Sequence, residues 1–358
     1  MSKHLKFINI AHDVASQNLG KTFPNPTVGC IISKNNKIIS KAVTSSTGRP
    51  HAEEIALKIA GKKANGATMY VTLEPCFHSS QNGSCTDQIL RSGIKEIYIS
   101  CIDQDPRTKN KSISKLKKNK MKVITGIGQD KTIKVNNFFF KSLKKKKPFT
   151  KVKMAISNDD KIAWSNYKSK WISNSKSRSY AHSLRYKSQA ILTTSKTILK
   201  DNPRFTVRKK NKIIKNMNVV IIDKNLNIPL NTNLLKNLHE RRIIIFTSKN
   251  NLKSQKLKQL GCEIIEMKIK NNKLNLKKIF TQLYKLKISD LIVEAGGVLF
   301  TDLIKNNLVD ELHLFKTPII IGENGIPIIE GNNLKNIKKK LLETIKFDDN
   351  LYTKYAIK

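Results

Sequence analysis

PHAEEIAL, residues Pro50 to Leu57, places an acid, Glu53, two positions after a histidine at what reads as a helix start. Acids suit a first helical turn because the macrodipole is positive there, and on that reading Glu53 is an ordinary surface residue. The second reading is chemical and depends on two cysteines further on. Outward from this stretch, HAEEIALKIAGKKA is helical, with Ile55, Leu57 and Ile59 on an apolar face and Gly61 or Gly66 to end it. ATMYVTL then reads as a strand, CTDQILRSG as a helix, EIYISC as a strand, Ser112–Asn119 as a helix and MKVITG as a strand. On the N-terminal side a helix over Lys3–Leu19 precedes the apolar runs VGCIIS and KIISKAV. Strands alternating with helices predict an α/β sheet between helical layers.

His51, Cys76 and Cys85 are the candidate metal ligands. Cys76 ends the strand-like YVTLEPC, and after eight intervening residues Cys85 opens the next helix. One imidazole and two thiolates suit a catalytic zinc, which keeps a fourth position for water. Helix starts favour thiolates. Glu53 is placed to face that water without binding the metal. H-x-E followed by a Pro-Cys and a second cysteine is the pattern of zinc nucleobase deaminases, in which the glutamate shuttles protons. His78 reads equally as a substrate contact or a plain loop residue, and Cys30 and Cys101 read as core.

KSLKKKKPF, Lys141–Phe149, interrupts the alternation and divides the chain into residues 1–143, a basic linker 144–149 and residues 150–358. The second part resumes α/β alternation through KMAIS, AILTTS, MNVVIID, RRIIIFTS and DLIVEAGG, with about eight strands. EAGG after a strand and before a helix offers glycines where backbone can approach a cofactor phosphate. An ordinary tight turn would look the same.

The net charge of +42 raises nucleic-acid binding as a possibility. The lysines, however, are scattered among Asn and Ile, without arginine clusters or interleaved aromatics to stack bases. A solvated lysine-rich surface is the expectation, with nucleic acid not a partner. No apolar run approaches the roughly 18 residues of a membrane span. Five cysteines without a secretory segment read as reduced thiols in a cytoplasmic protein.

With NPTVGC (Asn25–Cys30), PHAE, YVTLEPC, KMAIS, KWIS, AILTTSKTILKDNPRFTVR and VEAGG in view, the chain resembles the bifunctional riboflavin-biosynthesis deaminase–reductases over nearly its whole length. The resemblance implies a cytidine-deaminase-like α/β/α domain followed by a dihydrofolate-reductase-like α/β domain. It implies zinc-dependent hydrolytic deamination of a phosphoribosylated diaminopyrimidinone, then NADPH-dependent reduction of its ribosyl group to ribityl. Asn25 would contact the first substrate. Ser169, Arg185, Phe205, Arg208 and Glu294 would line the reductase substrate site, where the arginines offer forks for a phosphate. Ala155, Trp171, Thr197 and Asp201 would hold NADPH. So would the run Gly296, Gly297, Val298, Leu299, Phe300, Thr301 and Asp302. Trp171 reads equally as a core aromatic. Lys153, at a strand end, is either a surface lysine or the group that polarises or protonates the opening ribose ring. Assembly into a homo-oligomer stays open.

The chain departs from the family pattern in places. Between the zinc cysteines FHSSQNGS replaces the usual SHHGRTPP, and DQDPRTKNKS replaces a glycine-bearing loop. SNDDK has Asp160 where the family has glycine, and DNP keeps Asp201 but not the second acid. Two further readings therefore stand beside the main one. One is a reductase with an impaired, mainly structural deaminase half; the other is a nucleic-acid base deaminase.

Overall fold

The computed structural model describes residues 3–78, 83–165, 173–210, 212–330 and 334–358. They form two compact units, Met1–Lys146 and Lys147–Lys358. The division falls inside the lysine-rich stretch, but most of that stretch is not a loop. The last helix of the first unit runs to Lys145, and the first strand of the second starts at Phe149. Lysine is a good helix former, and Lys144 and Lys145 sit in a last turn where cations are favoured.

The first unit begins with α1 (Lys3–Ser16), β1 (Gly29–Lys34) and β2 (Lys37–Val43). It continues through α2 (Ala52–Ala60), β3 (Thr68–Leu73), α3 (Cys85–Arg91) and β4 (Glu96–Cys101). It closes with α4 (Lys111–Lys118), β5 (Lys122–Thr125), α5 (Gln129–Val135) and α6 (Asn137–Lys145). The sheet order is β2-β1-β3-β4-β5. β1 pairs antiparallel with both β2 and β3, while β3, β4 and β5 run parallel. Alternating strand residues face opposite layers, as the period of two requires. Cys30, Ile32, Met69, Val71, Ile97 and Ile99 pack with α2 and α3. Ile31, Tyr70 and Tyr98 pack under Phe7, Ile8 and Ala11 of α1. The α/β/α expectation is met.

The second unit opens with β6 (Phe149–Ile156), β7 (Lys161–Ala163), α7 (Ser175–Tyr186), β8 (Ala190–Thr194) and α8 (Ser195–Asp201). The hairpin of β9 (Thr206–Lys209) and β10 (Lys212–Asn216) precedes β11 (Asn218–Ile222), β12 (Ile243–Thr247), α9 (Leu252–Gln259) and β13 (Glu263–Glu266). A short hairpin, β14 (Ile269–Lys270) and β15 (Lys273–Leu274), leads to α10 (Leu276–Lys285), β16 (Asp290–Val293) and α11 (Gly297–Lys305). β17 (Glu311–Lys316), β18 (Ile326–Pro327), β19 (Lys339–Phe347) and β20 (Asn350–Ile357) complete it. The main sheet is nine-stranded, in the order β13-β12-β11-β8-β16-β6-β17-β20-β19. Strands β6, β8, β11, β12, β13, β16 and β17 run parallel, and β20 and β19 add an antiparallel edge. Helices α10 and α11 cover one face, and α7 and α9 the other. No helix among the described residues is long and apolar enough to cross a membrane.

Gly29, the glycine of NPTVGC, lets α1 lie directly on β1. A Cβ there would stand 1.9 Å from the Ala11 carbonyl oxygen. Gly29→Ala should therefore push α1 off the sheet and destabilise the first unit by at least about 2 kcal/mol, as overpacking does. A urea midpoint for that unit equal to wild type would contradict the close approach.

Candidate functional site

Three separate segments of the first unit supply the candidate metal ligands. The turn before α2 is pinned where Asn25 Nδ2 donates to the Gly48 carbonyl at 2.9 Å, and Gly48 takes a φ of +83°. His51 then caps α2 in an extended conformation, and Glu53 falls in the first turn, buried. Cys76 follows β3 in a loop, and Cys85 is the first residue of α3, whose cap Ser84 accepts from Asp87 N at 3.1 Å. The ligand atoms of His51, Cys76 and Cys85 all lie within 4.8 Å of one another. His51 Nδ1 is 3.3 Å from Cys85 Sγ, and Cys85 N donates to Cys76 Sγ at 3.4 Å.

The electrostatics of this group favour a cation. The hydrogen bond from Cys85, then the contact with His51, pushes the Cys76 thiol well down. The same bond to Cys76, burial and the nearby Glu53 charge push Cys85 up. Burial would lower the His51 pKa, but the hydrogen bond with Cys76 and the charge of Glu53 outweigh it and raise it. Burial lifts the Glu53 carboxyl to about 6, against the pull of His51. Glu53 Oε2 is buried and has no hydrogen-bond partner among the described residues. Two thiols, an imidazole and an orphaned carboxylate oxygen are what a zinc-bound water site requires, so these residues fit the metal.

Glu74, which the sequence reading passed over, organises the neighbouring loop. It is buried, and its Oε2 accepts from Asp103 N at 3.2 Å and Asn110 N at 3.1 Å, while Oε1 accepts from Ser112 Oγ at 2.8 Å. A charged residue between an apolar strand and a ligand cysteine was the available signal.

The second unit holds a cavity of about 1290 Å³. Lys153, Ala155, Arg185, Thr197, Asp201 and Phe205 line it, as do Arg208, Glu294, Gly296, Gly297, Val298, Leu299 and Asp302. The side chains of Phe300 and Thr301, in the same run, are buried: Phe300 is in the hydrophobic core, and Thr301 donates to the Gly297 carbonyl and accepts from Glu330 N, so both brace the segment from behind. Ser169 and Trp171 lie outside the described residues.

The two arginines are placed differently. Arg185 does not offer an open fork. Its Nε and Nη2 donate to the two oxygens of Glu294 at 2.5 and 2.7 Å, and Nη1 donates to the Thr206 carbonyl at 3.1 Å. A guanidinium this buried needs such a partner, because an unpaired buried charge is costly. Burial would raise the Glu294 pKa, but Arg185, with Lys153, holds it at about 2. Arg208 is exposed at the cavity wall, with its backbone N–H donated to His182 Nδ1 at 3.3 Å. Phe205, at a φ of +45°, turns its buried ring under the Arg185 guanidinium at 5.9 Å.

Lys153 lies within β6 and not at its end, with its ammonium 5.8 Å from the Phe315 ring centroid. Burial lowers its pKa, opposed by Glu294. The two glycines of EAGG have different jobs. A Cβ at Gly297 would meet the Ile328 and Pro327 carbonyls at 2.7 and 2.8 Å, whereas Gly296 faces open space at the cap of α11. That open cap, in a cavity of this size, fits a phosphate-bearing cofactor.

Comparison with known proteins agrees with this anatomy. A model of the cytidine and deoxycytidylate deaminase zinc-binding region matches residues 1–101, and a model of the RibD C-terminal domain matches residues 148–352. The riboflavin biosynthesis protein RibD of Aquifex aeolicus is 36% identical over 94% of each chain. RibD of Escherichia coli is 31% identical over 85% of this chain and 84% of its own. The structure of Acinetobacter baumannii RibD superposes with a TM-score of 0.90 at 27% identity, covering 99% of each chain. The Thermotoga maritima diaminohydroxyphosphoribosylaminopyrimidine deaminase/5-amino-6-(5-phosphoribosylamino)uracil reductase gives 0.86 at 29% identity over 99% of each. These matches support the two-activity reading over either alternative. The chain belongs to the RibD family of bifunctional riboflavin biosynthesis proteins, with a zinc-binding deaminase region followed by a reductase domain.

Proposed function

We propose that the first unit removes ammonia from a phosphoribosylated diaminopyrimidinone and that the second reduces the ribosyl group of the product to ribityl with NADPH. The observation that carries the first half is the buried, partnerless Oε2 of Glu53 beside three clustered metal donors.

In the first unit His51, Cys76 and Cys85 would hold zinc. Bound there, the metal supplies a Lewis acid that brings the pKa of water towards neutrality. Glu53 takes the proton of the attacking water and returns it to the amine as the C–N bond breaks, so water enters and ammonia leaves. Its burial keeps bulk water from levelling that proton transfer. Asn25 acts by holding the turn that presents His51, besides any contact with substrate.

In the second unit the open cap at Gly296 would hold a cofactor phosphate, with Ala155, Thr197, Asp201, Val298, Leu299 and Asp302 along the wall. NADPH, when bound, supplies the hydride, and the protein orients it. Arg208 is the exposed guanidinium for the substrate phosphate, while Arg185 keeps Glu294 ionised and fixed. Lys153 protonates the ribose oxygen released as the ring opens. Five buried thiols, two of them needed as ligands, fit a reducing cytoplasm.

Glu53→Gln should retain zinc while ammonia release falls at least about 100-fold, the usual loss for a general acid–base. NADPH oxidation with the deaminated substrate should be unchanged; an undiminished ammonia rate would exclude Glu53. For Lys153 the sign follows from its role as an acid. Its ammonium is the active form, so the reductase rate should fall as pH rises through a pKa lowered from 10.5. Lys153→Met should lower kcat and abolish that basic limb. An identical pH profile in the variant would rule the assignment out.

A further inference from the structure

The first substrate carries a phosphate, yet the stretch between the zinc cysteines, FHSSQNGS, contains neither lysine nor arginine. A cation for that group must come from a neighbouring segment. Among the described residues, the loop from Asp103 to Asn110 is docked against Phe77. Phe77 N, next to the ligand Cys76, donates to Thr108 Oγ1 at 3.4 Å, and Glu74 clamps the loop at Asp103 and Asn110.

Within that loop Asp105 is buried, while the Arg107 side chain is 66% exposed. Arg107 Nε lies 3.0 Å from both Asp105 oxygens, and Nη2 lies 2.5 Å from Oδ2. The Arg107 backbone N–H adds a 2.9 Å bond to Asp105 Oδ1, and Asp105 N is itself held by Asp103 Oδ1 at 2.9 Å. An exposed arginine two residues from an acid normally gains little from the pairing. Here the acid is buried on a clamped loop, so the guanidinium is held in one orientation.

We infer that Arg107, aimed by Asp105, binds the phosphate of the deaminase substrate. This rests on the deaminase reading above. Fork-shaped guanidinium suits a phosphate dianion, and pre-orientation reduces the side-chain entropy lost on binding. Arg49, just before the ligand His51, is the second cation at this edge. Asp105 is a positioning residue; Arg107 makes the contact.

The test compares wild type, Arg107→Ala, Arg107→Lys and Asp105→Asn by ammonia release, with zinc content as the folding control. Arg107→Ala should raise KM about tenfold or more with kcat within about twofold, and Arg107→Lys should recover part of the loss. Asp105→Asn should give a smaller KM rise. On the dephosphorylated nucleoside substrate the variants should match wild type. A KM unchanged in Arg107→Ala, or an equal loss on the nucleoside, would overturn the assignment. Calorimetric binding of ribose 5-phosphate needs no turnover: wild type should bind one equivalent more than Arg107→Ala. Equal binding would refute the subsite even if wild type released no ammonia, a result that would separately remove the deaminase reading.

Discussion

Three donor atoms from three segments must meet within 4.8 Å, and the first unit is arranged around that requirement. The turn held by Asn25 delivers His51, the exit from β3 delivers Cys76, and the start of α3 delivers Cys85. Left without a cation, the group is at odds with itself. Burial penalises the charged forms of Cys85 and Glu53; the Glu53 charge pushes the Cys85 thiol further up, and the Cys76 charge does the same to the Glu53 carboxyl. A divalent metal turns these repulsions into attractions and stabilises the thiolates. The protein has built a place where that charge is needed.

The second unit solves a different problem by pairing charges internally. Chain direction along the sheet runs outward from β8 through β11 and β12 to β13, then returns to insert β16 between β8 and β6. Such a reversal leaves a crevice at the strand ends, where ligands bind in open α/β sheets. Thr194–Thr197 after β8 and Glu294–Gly297 after β16 line that crevice. Arg185 and Glu294 neutralise one another within it, while Arg208 stands exposed at its wall. Gly297 brings α11 against the Pro327–Ile328 backbone, and Gly296 stays open at the helix cap.

The cluster of candidate zinc ligands was legible because metal chemistry admits few residue types, and helix and strand signals placed them at element ends. The partner of Arg185 was not, since Glu294 lies 109 residues away and nothing local marks the pairing. Asp160 read as the loss of a glycine. It takes a φ of +57°, the left-handed conformation that asparagine and aspartate tolerate better than most residues, so the turn survives the change. β19, KKLLETIKF, went unread because exposed Leu341 and Leu342 are adjacent and a bulge interrupts its pairing, which hides the period of two. Within the run Gly296 to Asp302 a helix turns successive residues to different faces, so the Phe300 and Thr301 side chains turn inward.

Everything proposed for the first unit follows from a zinc ion held by nitrogen and sulfur with one coordination position left for oxygen. X-ray absorption at the zinc edge, on protein purified under reducing conditions without added metal, reads that shell directly. One zinc per chain, with two sulfurs near 2.3 Å and two lighter ligands near 2.0–2.1 Å, is the expected result. A metal-free protein, or a shell of four sulfurs, would contradict the account.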